Sequence, residues 1–193
     1  MELNRLFFAV LFMLFVLIRV RWHSAWADTE RRQIYNRRET ITASIFSLCL
    51  LFAHVGWLSG AFPETVELTQ NIETMVQGIG LVLMAIGVRL LHRVHAVLGE
   101  NFSPKLELRE SHTLVMSGPY SLVRHPMYTS GFSFLIGAGL LSTNIWVLLP
   151  PLLSFTMLVV LRLKDEEHML AERFGEQWKA YQKRTGMLLP RMR

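Results

Sequence analysis

Apolar residues fall in four long blocks along the chain, separated by polar stretches that carry most of the charge. From Leu3 to Val20 only Asn4, Arg5 and Arg19 interrupt an apolar run. At a rise of about 1.5 Å per residue, that helix just crosses a hydrocarbon layer of about 30 Å. Ile41 to Phe62 forms a second block, and Met75 to Leu91 a third that closes on Arg89, His92 and Arg93. The fourth, Met127 to Leu163, is too long for one crossing and carries Ser142, Thr143 and Asn144 near its middle, a trio that favours a turn. It reads as a helical hairpin, with arms from about Met127 to Leu141 and from Ile145 to Leu161. Pro150 and Pro151 lie early in the second arm, where they are expected to kink the helix or delay its regular start.

Loop charge tests this count independently, because cytoplasmic loops are enriched in Lys and Arg. Between the first two blocks lie Arg19, Arg21, Arg31, Arg32, Arg37 and Arg38, whereas between the second and third lie Glu64, Glu67 and Glu73 with no basic residue. The stretch Arg89 to Arg124 and the tail after Arg162 are basic again, and the Ser-Thr-Asn turn is uncharged. Five spans follow, with the N-terminus outside and the C-terminus cytoplasmic. Ala25-Trp26-Ala27 mimics a signal-peptide cleavage site, but Arg19, Arg21 and His23 charge the wrong side of the apolar run, so the first block is expected to stay as a span.

Composition agrees with this architecture. A chain of 193 residues that is 51% hydrophobic and 18% charged carries more apolar surface than a soluble domain can hide, which excludes a water-soluble enzyme. The formal charge of +5 is accounted for by the basic loops, so no nucleic-acid partner is expected. A single cysteine, Cys49, rules out an intramolecular disulfide framework or a Cys-based zinc site. The predicted fold class is therefore all-α: a polytopic integral membrane bundle of five transmembrane helices, the last two a hairpin, with a cytoplasmic loop region and a C-terminal amphipathic helix. Residues 1–91 make the first three spans and residues 92–193 the remainder.

Two polar pieces lie on the same predicted side. His92 to Arg124 contains Gly99, Pro104, Gly118 and Pro119 and must fold partly as loops. Lys164 to Arg184 spaces Leu170, Phe174, Trp178 and Tyr181 by four, four and three, giving one apolar stripe that would lie on the membrane surface or cover the first piece. Gly175 inside it costs about 1 kcal/mol relative to Ala and marks a place for a break.

Chemistry has room only where these pieces meet the hairpin. Its first arm is entered through Gly118 to Tyr128, which gathers two tyrosines, two prolines, Arg124 and His125, and its second leaves through Arg162, Lys164, Asp165, Glu166 and Glu167. Because the hairpin returns, the two clusters should be close in space. Tyrosines at an interface are often anchors, Arg124 is a positive-inside charge, and Pro126 suits a first helical position. That account leaves Glu166 and Glu167 unexplained, since a cytoplasmic helix exit favours cations. Arg162 and Glu166 lie four apart on one helical face, a spacing that serves equally a simple salt bridge or a cation and an anion offered to a ligand.

Taken in order, Leu98-Gly99-Glu100-Asn101-Phe102-Ser103, His112-Thr113-Leu114-Val115, Gly118-Pro119-Tyr120, Arg124-His125-Pro126-Met127-Tyr128, Glu166-Glu167, Phe174-Gly175-Glu176 and Tyr181 resemble the integral-membrane isoprenylcysteine carboxyl methyltransferases and the related membrane phospholipid methyltransferases. The resemblance covers Leu98 to about Pro190; the first spans are similar only as hydrophobic segments. It implies S-adenosyl-L-methionine-dependent methyl transfer at the cytoplasmic membrane face, releasing S-adenosyl-L-homocysteine. The cofactor shell it implies falls on His112, Thr113, Leu114, Val115, Tyr120, His125, Pro126, Met127, Tyr128 and Glu166, and the catalytic, substrate-binding arginine on Arg162. A glutamine that the eukaryotic enzymes place seven residues before the histidine is Lys105 here, and that contact is not carried over.

Each residue type suits the implied role. A sulfonium cofactor needs an anion for its ammonium, which Glu166 can supply, and aromatic or polar groups for the rest, which Tyr120, Tyr128 and the main chain of His112 to Val115 can supply. Methyl transfer is an in-line displacement, so alignment is most of what a protein contributes. A carboxylate acceptor is already ionised near neutral pH, and Arg162 has the fork to hold a carboxylate or phosphate head group. An amine acceptor must first lose a proton, for which His125 or Glu167 would be nearest. The expected acceptor is a lipophilic small molecule, lipid or lipidated protein from the bilayer, most simply the carboxylate of an isoprenylcysteine; phospholipid amine N-methylation and a non-catalytic membrane scaffold are the alternatives. Gly78, Gly80 and Gly87 lie inside a span with no preceding strand and are expected to be helix-packing contacts rather than a nucleotide loop. His92 and His95 lack a Cys or acidic partner on a matching face, so no metal is expected, and His54 is expected to be buried and hydrogen-bonded. Arg191-Met192-Arg193 is no prenylation signal, so the chain is not expected to be its own substrate.

Overall fold

The computed structural model describes residues 2–27, 37–63, 66–102 and 112–191, and its regular elements are helices: α1 Glu2–Ala27, α2 Arg37–Leu58, α3 Gln70–Leu98, α4 Pro126–Ser142 and α5 Ile145–Arg184, with 3-10 turns at Gly99–Asn101 and Gly118–Ser121. Arg31, Arg32, Glu64, Ser103, Pro104 and Lys105 lie outside the described residues. Four helices, α1, α2, α3 and α5, are long and apolar enough to cross a membrane. The fifth apolar segment, α4, is shorter at 17 residues and mostly buried among the others. On the outside, Leu3, Leu6, Val10 and Met13 of α1 and Leu48, Leu51, Phe52 and Val55 of α2 are exposed. A continuous apolar exterior of this kind suits lipid, and the chain is an integral membrane protein.

Helix directions follow from the end-to-end contacts. Asn4 Nδ2 donates to Gln77 Oε1 at 2.7 Å and Trp22 stacks on His95 at 5.4 Å, so α1 runs parallel to α3. The pairings of Gly80 with Leu141 and of Gly87 with Phe134 make α3 antiparallel to α4. At Gly80, Gly87 and Gly137 an added Cβ would strike the backbone of the facing helix. Lipid tails give helices no hydrophobic reason to associate, so this close backbone approach is what packing energy requires. On the other side of α4, Gly131 and Gly139 admit the ring of Phe155 and the side chain of Leu148 from α5. Ser133 Oγ adds an inter-helix bond to Leu83 O at 2.8 Å. Gly78 departs from the packing role expected for it: nothing approaches its position, because it faces away from α4.

The hairpin forms where the turn trio predicts. Thr143 adopts a left-handed conformation with φ 47°, and Asn144 caps α5 by accepting from Trp146 N at 3.0 Å. Asn144 Nδ2 also donates to Pro63 O at 2.9 Å, tying the hairpin to the end of α2. Pro150 and Pro151 do not delay the start of α5, which begins at Ile145; they sit in its first turns, and Ser154 Oγ bonds back to both carbonyls at 2.8 and 3.0 Å. The C-terminal amphipathic helix does not start as a new element at Lys164. Its residues continue α5 past the apolar section 145–163, and the chain breaks helical geometry only at Gly175, with φ 49° and ψ −120°. A positive φ at that point favours glycine and lets the final turns fold back over the bundle end.

Candidate active site

The end of the bundle formed by the C-terminal ends of α1 and α3, the start of α4 and the polar half of α5 collects the chemistry. Arg124 and His125 reach it on an irregular segment rather than a helix, and the C-terminal tail fixes that segment. Arg124 N donates to Gly186 O at 2.9 Å, His125 N to Met187 O at 3.1 Å and Gly186 N to Leu122 O at 3.3 Å, giving a short parallel bridge between Val123 and Gly186. Thr129 Oγ1 adds a bond to Leu188 O at 2.6 Å. Pro126 opens α4 at a tolerated first position and is buried.

The two clusters at the hairpin ends meet. Arg124 Nε donates to Glu167 Oε1 at 3.0 Å, and Arg124 Nη1 to the carbonyls of Thr185 at 2.7 Å and Gln182 at 3.3 Å. His125 Nε2 donates to the same Glu167 oxygen at 3.2 Å. Gln182 Nε2 approaches the other oxygen at 3.4 Å. The hydrogen bond from His125, with the guanidinium of Arg124 behind it, holds the Glu167 carboxyl below its ordinary range against the opposing effect of burial. Glu167 is therefore a committed structural anion and a poor base. Glu166 differs: Tyr128 OH donates to its Oε2 at 2.7 Å, while its Oε1 is 3.9 Å from His125 Nδ1.

Beside these pairs lies one cavity of about 570 Å³, within the range typical of small-molecule sites. Its walls contain His112, Thr113, Leu114, Val115, Tyr120, His125, Met127, Tyr128, Arg162 and Glu166, so nine of the ten residues expected to hold the cofactor, and the expected arginine, share one space. Pro126 does not line it; its ring is packed inside the first turn of α4. Asn101 anchors the loop wall by accepting from Thr113 N at 2.8 Å. Burial, followed by the charge of Glu166, pushes the Tyr120 phenol well above its ordinary range, so it remains a neutral donor. Tyr181 OH donates to Tyr120 O at 2.6 Å, and burial pushes its own pKa up to about 12. The opposite wall is apolar and comes from α1 and α2 through Phe15, Val16, Ala43, Phe46 and Leu50.

Two donors in this wall are left over. Arg162 Nε and Trp178 Nε1 are buried without a hydrogen-bond partner. No ion pair joins Arg162 to Glu166 among the described residues, so the simple salt bridge allowed by their spacing is not formed. An unsatisfied buried donor costs free energy unless a ligand completes it. One anionic carboxylate, neutral phenols, loop main chain and unsatisfied donors are a donor set that fits the ammonium, carboxylate and adenine of a sulfonium cofactor. Arg124 was expected where the two hairpin clusters meet, and it lines the cavity. Sequence reasoning did not place Arg19 or Trp178 in this wall and gave Asn101 and Tyr181 no role in it; Trp178 was legible only as part of an apolar stripe, Arg19 only as loop charge.

A family model described as phospholipid methyltransferase matches residues 75–177, more than half of the chain. Protein-S-isoprenylcysteine O-methyltransferase of Xenopus laevis is 32% identical over 142 residues, covering 72% of this chain and 49% of that protein. The Homo sapiens protein of the same name is 31% identical over 131 residues, with coverage of 67% and 44%. The cobalt-zinc-cadmium resistance protein CzcN of Cupriavidus metallidurans is 34% identical over 143 residues, with coverage of 74% and 57%. The chain spans about half the length of these relatives. A solved eukaryotic intramembrane Ras methyltransferase, an isoprenylcysteine carboxyl methyltransferase, superposes with a TM-score of 0.56 at 23% identity, over 96% of this chain and 62% of that one, and so shares its fold. The motif order, the helical hairpin and the matched residues together make this chain a member of the membrane methyltransferase family that holds the phospholipid and isoprenylcysteine carboxyl methyltransferases.

Proposed function

We propose that the protein transfers a methyl group from S-adenosyl-L-methionine to the carboxylate of a lipophilic, isoprenylcysteine-like acceptor drawn from the bilayer. The observation that carries this reading is the cavity that Glu166, Tyr120 and Tyr128 share with Arg162 and with apolar side chains of α1 and α2. Glu166 binds the ammonium of the donor, steered by Tyr128. The main chain of His112 to Val115, Tyr120, His125 and Met127 hold the remaining heteroatoms and the adenine, with Pro126 setting the direction of α4 beneath them. The donor supplies an electrophilic methyl on a positive sulfur. Arg162 holds the acceptor carboxylate in line with it, and the apolar wall takes the acceptor's chain. No general base is needed, because the acceptor is ionised before it binds.

The state of Glu167 supports a carboxylate acceptor over an amine. An amine must lose a proton, and Glu167 and His125, the nearest candidates, already bond to each other. Loop charge supports five crossings, with α4 as the short fourth, the N-terminus outside, and the active site and C-terminus cytoplasmic. Within this arrangement residues 1–91 are the N-terminal transmembrane helices and residues 92–193 the methyltransferase catalytic region, which carries Arg162 as well as the donor-binding residues.

Incubating native membranes with donor labelled in its methyl group tests the reading. Label that mild base releases as methanol is the expected result. Label that stays in phospholipid through base treatment would replace it with amine methylation.

A further inference from the structure

Three guanidinium groups border the cavity, and one of them, Arg124, is paired with Glu167. Arg19, near the end of α1, lines it together with Arg162 of α5. Among the described residues the one hydrogen bond of Arg19 runs from Nη1 to the thioether Sδ of Met127 at 3.3 Å, a weak acceptor. Arg162 keeps a buried Nε without a partner, and neither arginine forms an ion pair among the described residues. The nearby carboxylates are engaged elsewhere, Glu167 by Arg124 and His125 and Glu166 by Tyr128. Two cations without an ion-pair partner on one mainly apolar cavity destabilise the empty site, and an anion held between them removes that cost.

We infer that Arg19 and Arg162 together clamp an anionic head group of the methyl acceptor, with Arg19 reaching it from the helix that also supplies the apolar wall. The inference rests on the methyl-transfer reading above and adds a specificity-determining residue to it. Arg19 lies outside residues 75–177, the part matched by the family model, so cavity geometry alone points to it. A guanidinium fork binds two oxygens of a carboxylate or phosphate, and a second one doubles the penalty for a neutral or cationic head. The ligand class that fits is an amphiphile with one apolar chain against Phe15, Val16 and Phe46 and an anionic head between the arginines.

Thermal shift on the full chain in detergent, with S-adenosyl-L-homocysteine present, tests this using three probes: N-acetyl-S-farnesylcysteine as the free acid, its carboxamide, and short-chain phosphatidylethanolamine. The free acid is expected to stabilise the protein and the carboxamide is not. Arg19→Gln should raise the apparent Kd for the acid about tenfold or more, the scale of a lost charge-assisted pair, while S-adenosyl-L-homocysteine affinity stays within about twofold. Arg19→Lys keeps the charge without the fork, should recover part of the loss, and serves alone should Arg19→Gln not yield folded protein. Unchanged acid affinity in Arg19→Gln would overturn the inference while leaving the methyl-transfer reading intact, and so would equal loss of acid and S-adenosyl-L-homocysteine, which would assign Arg19 to the donor. Stabilisation by phosphatidylethanolamine but not by the acid, lost in Arg19→Gln, would keep the clamp with phosphate as its anion and sink the carboxylate acceptor. No binding of either anion by the wild type would remove the clamp.

Discussion

Tyr128 on the first turn of α4 donates its hydroxyl to Oε2 of Glu166 on α5 at 2.7 Å, joining residues 38 apart in sequence across the mouth of the hairpin. The bond fixes one oxygen of a carboxylate that lines the cavity, and an oriented anion there suits an ammonium. Tyr128→Phe should therefore lower S-adenosyl-L-homocysteine affinity by about three- to tenfold, the scale of one hydrogen bond. Glu166→Gln keeps an acceptor for Tyr128 but removes the charge, and should cost more than Tyr128→Phe does. Titration calorimetry in detergent orders the two; equal or reversed effects would remove Glu166 from the ammonium site.

Arg162→Ala addresses the other half of the cavity. Because Arg162 makes no ion pair with Glu166, its loss should leave donor-product affinity within about twofold while turnover falls by about 100-fold or more, the scale of misplacing an acceptor. Parallel loss of binding and turnover would make it a structural residue.

Glu167 links protonation to stability. Its carboxyl is held below the ordinary range by His125 and Arg124, so the stabilisation is fully present above about pH 4.5 and is lost as the pH falls through the lower folded value. Glu167→Gln should lower stability by about 1 to 3 kcal/mol at neutral pH, because Arg124 and His125 lose a charged acceptor. Thermal unfolding of both proteins between about pH 3.5 and about pH 7 should show the gap closing on the acid side. A gap independent of pH would place the effect in packing instead.

Two glycines of α3 separate packing from propensity. Gly87→Val drives a side chain into the backbone of α4 at Phe134 and should destabilise by about 1 to 3 kcal/mol or more. Gly78→Ala meets nothing and should be neutral or stabilising by up to about 1 kcal/mol. Melting temperatures in detergent compare them directly, and a loss in Gly78→Ala would mean that α3 has a partner on its outer face.

The helical hairpin was legible because Ser142-Thr143-Asn144 is a local signal: a left-handed residue and a side-chain cap depend on neighbours one or two positions away. The gathering of His112 to Val115, Tyr120, Tyr128 and Glu166 around one cavity was legible because the motifs that carry them keep their order and spacing. Gly78 was misjudged because periodicity cannot tell which face of a helix meets a partner. The tail bridging Gly186 to Val123 gave no signal, since a single parallel pairing depends on where the end of α5 is carried by the break at Gly175.

Apolar segment length, turn chemistry and loop charge are properties of short stretches of chain, and the sequence by itself determined from them a helical membrane bundle ending in a hairpin. Only the tertiary structure decided that Glu167 belongs to Arg124 and His125, that Tyr128 bonds Glu166, and that Arg19 and Arg162 line one cavity. Those choices depend on distances of a few ångströms between helices, which are set by glycine-mediated packing of α3 on α4 and have no counterpart in residue spacing.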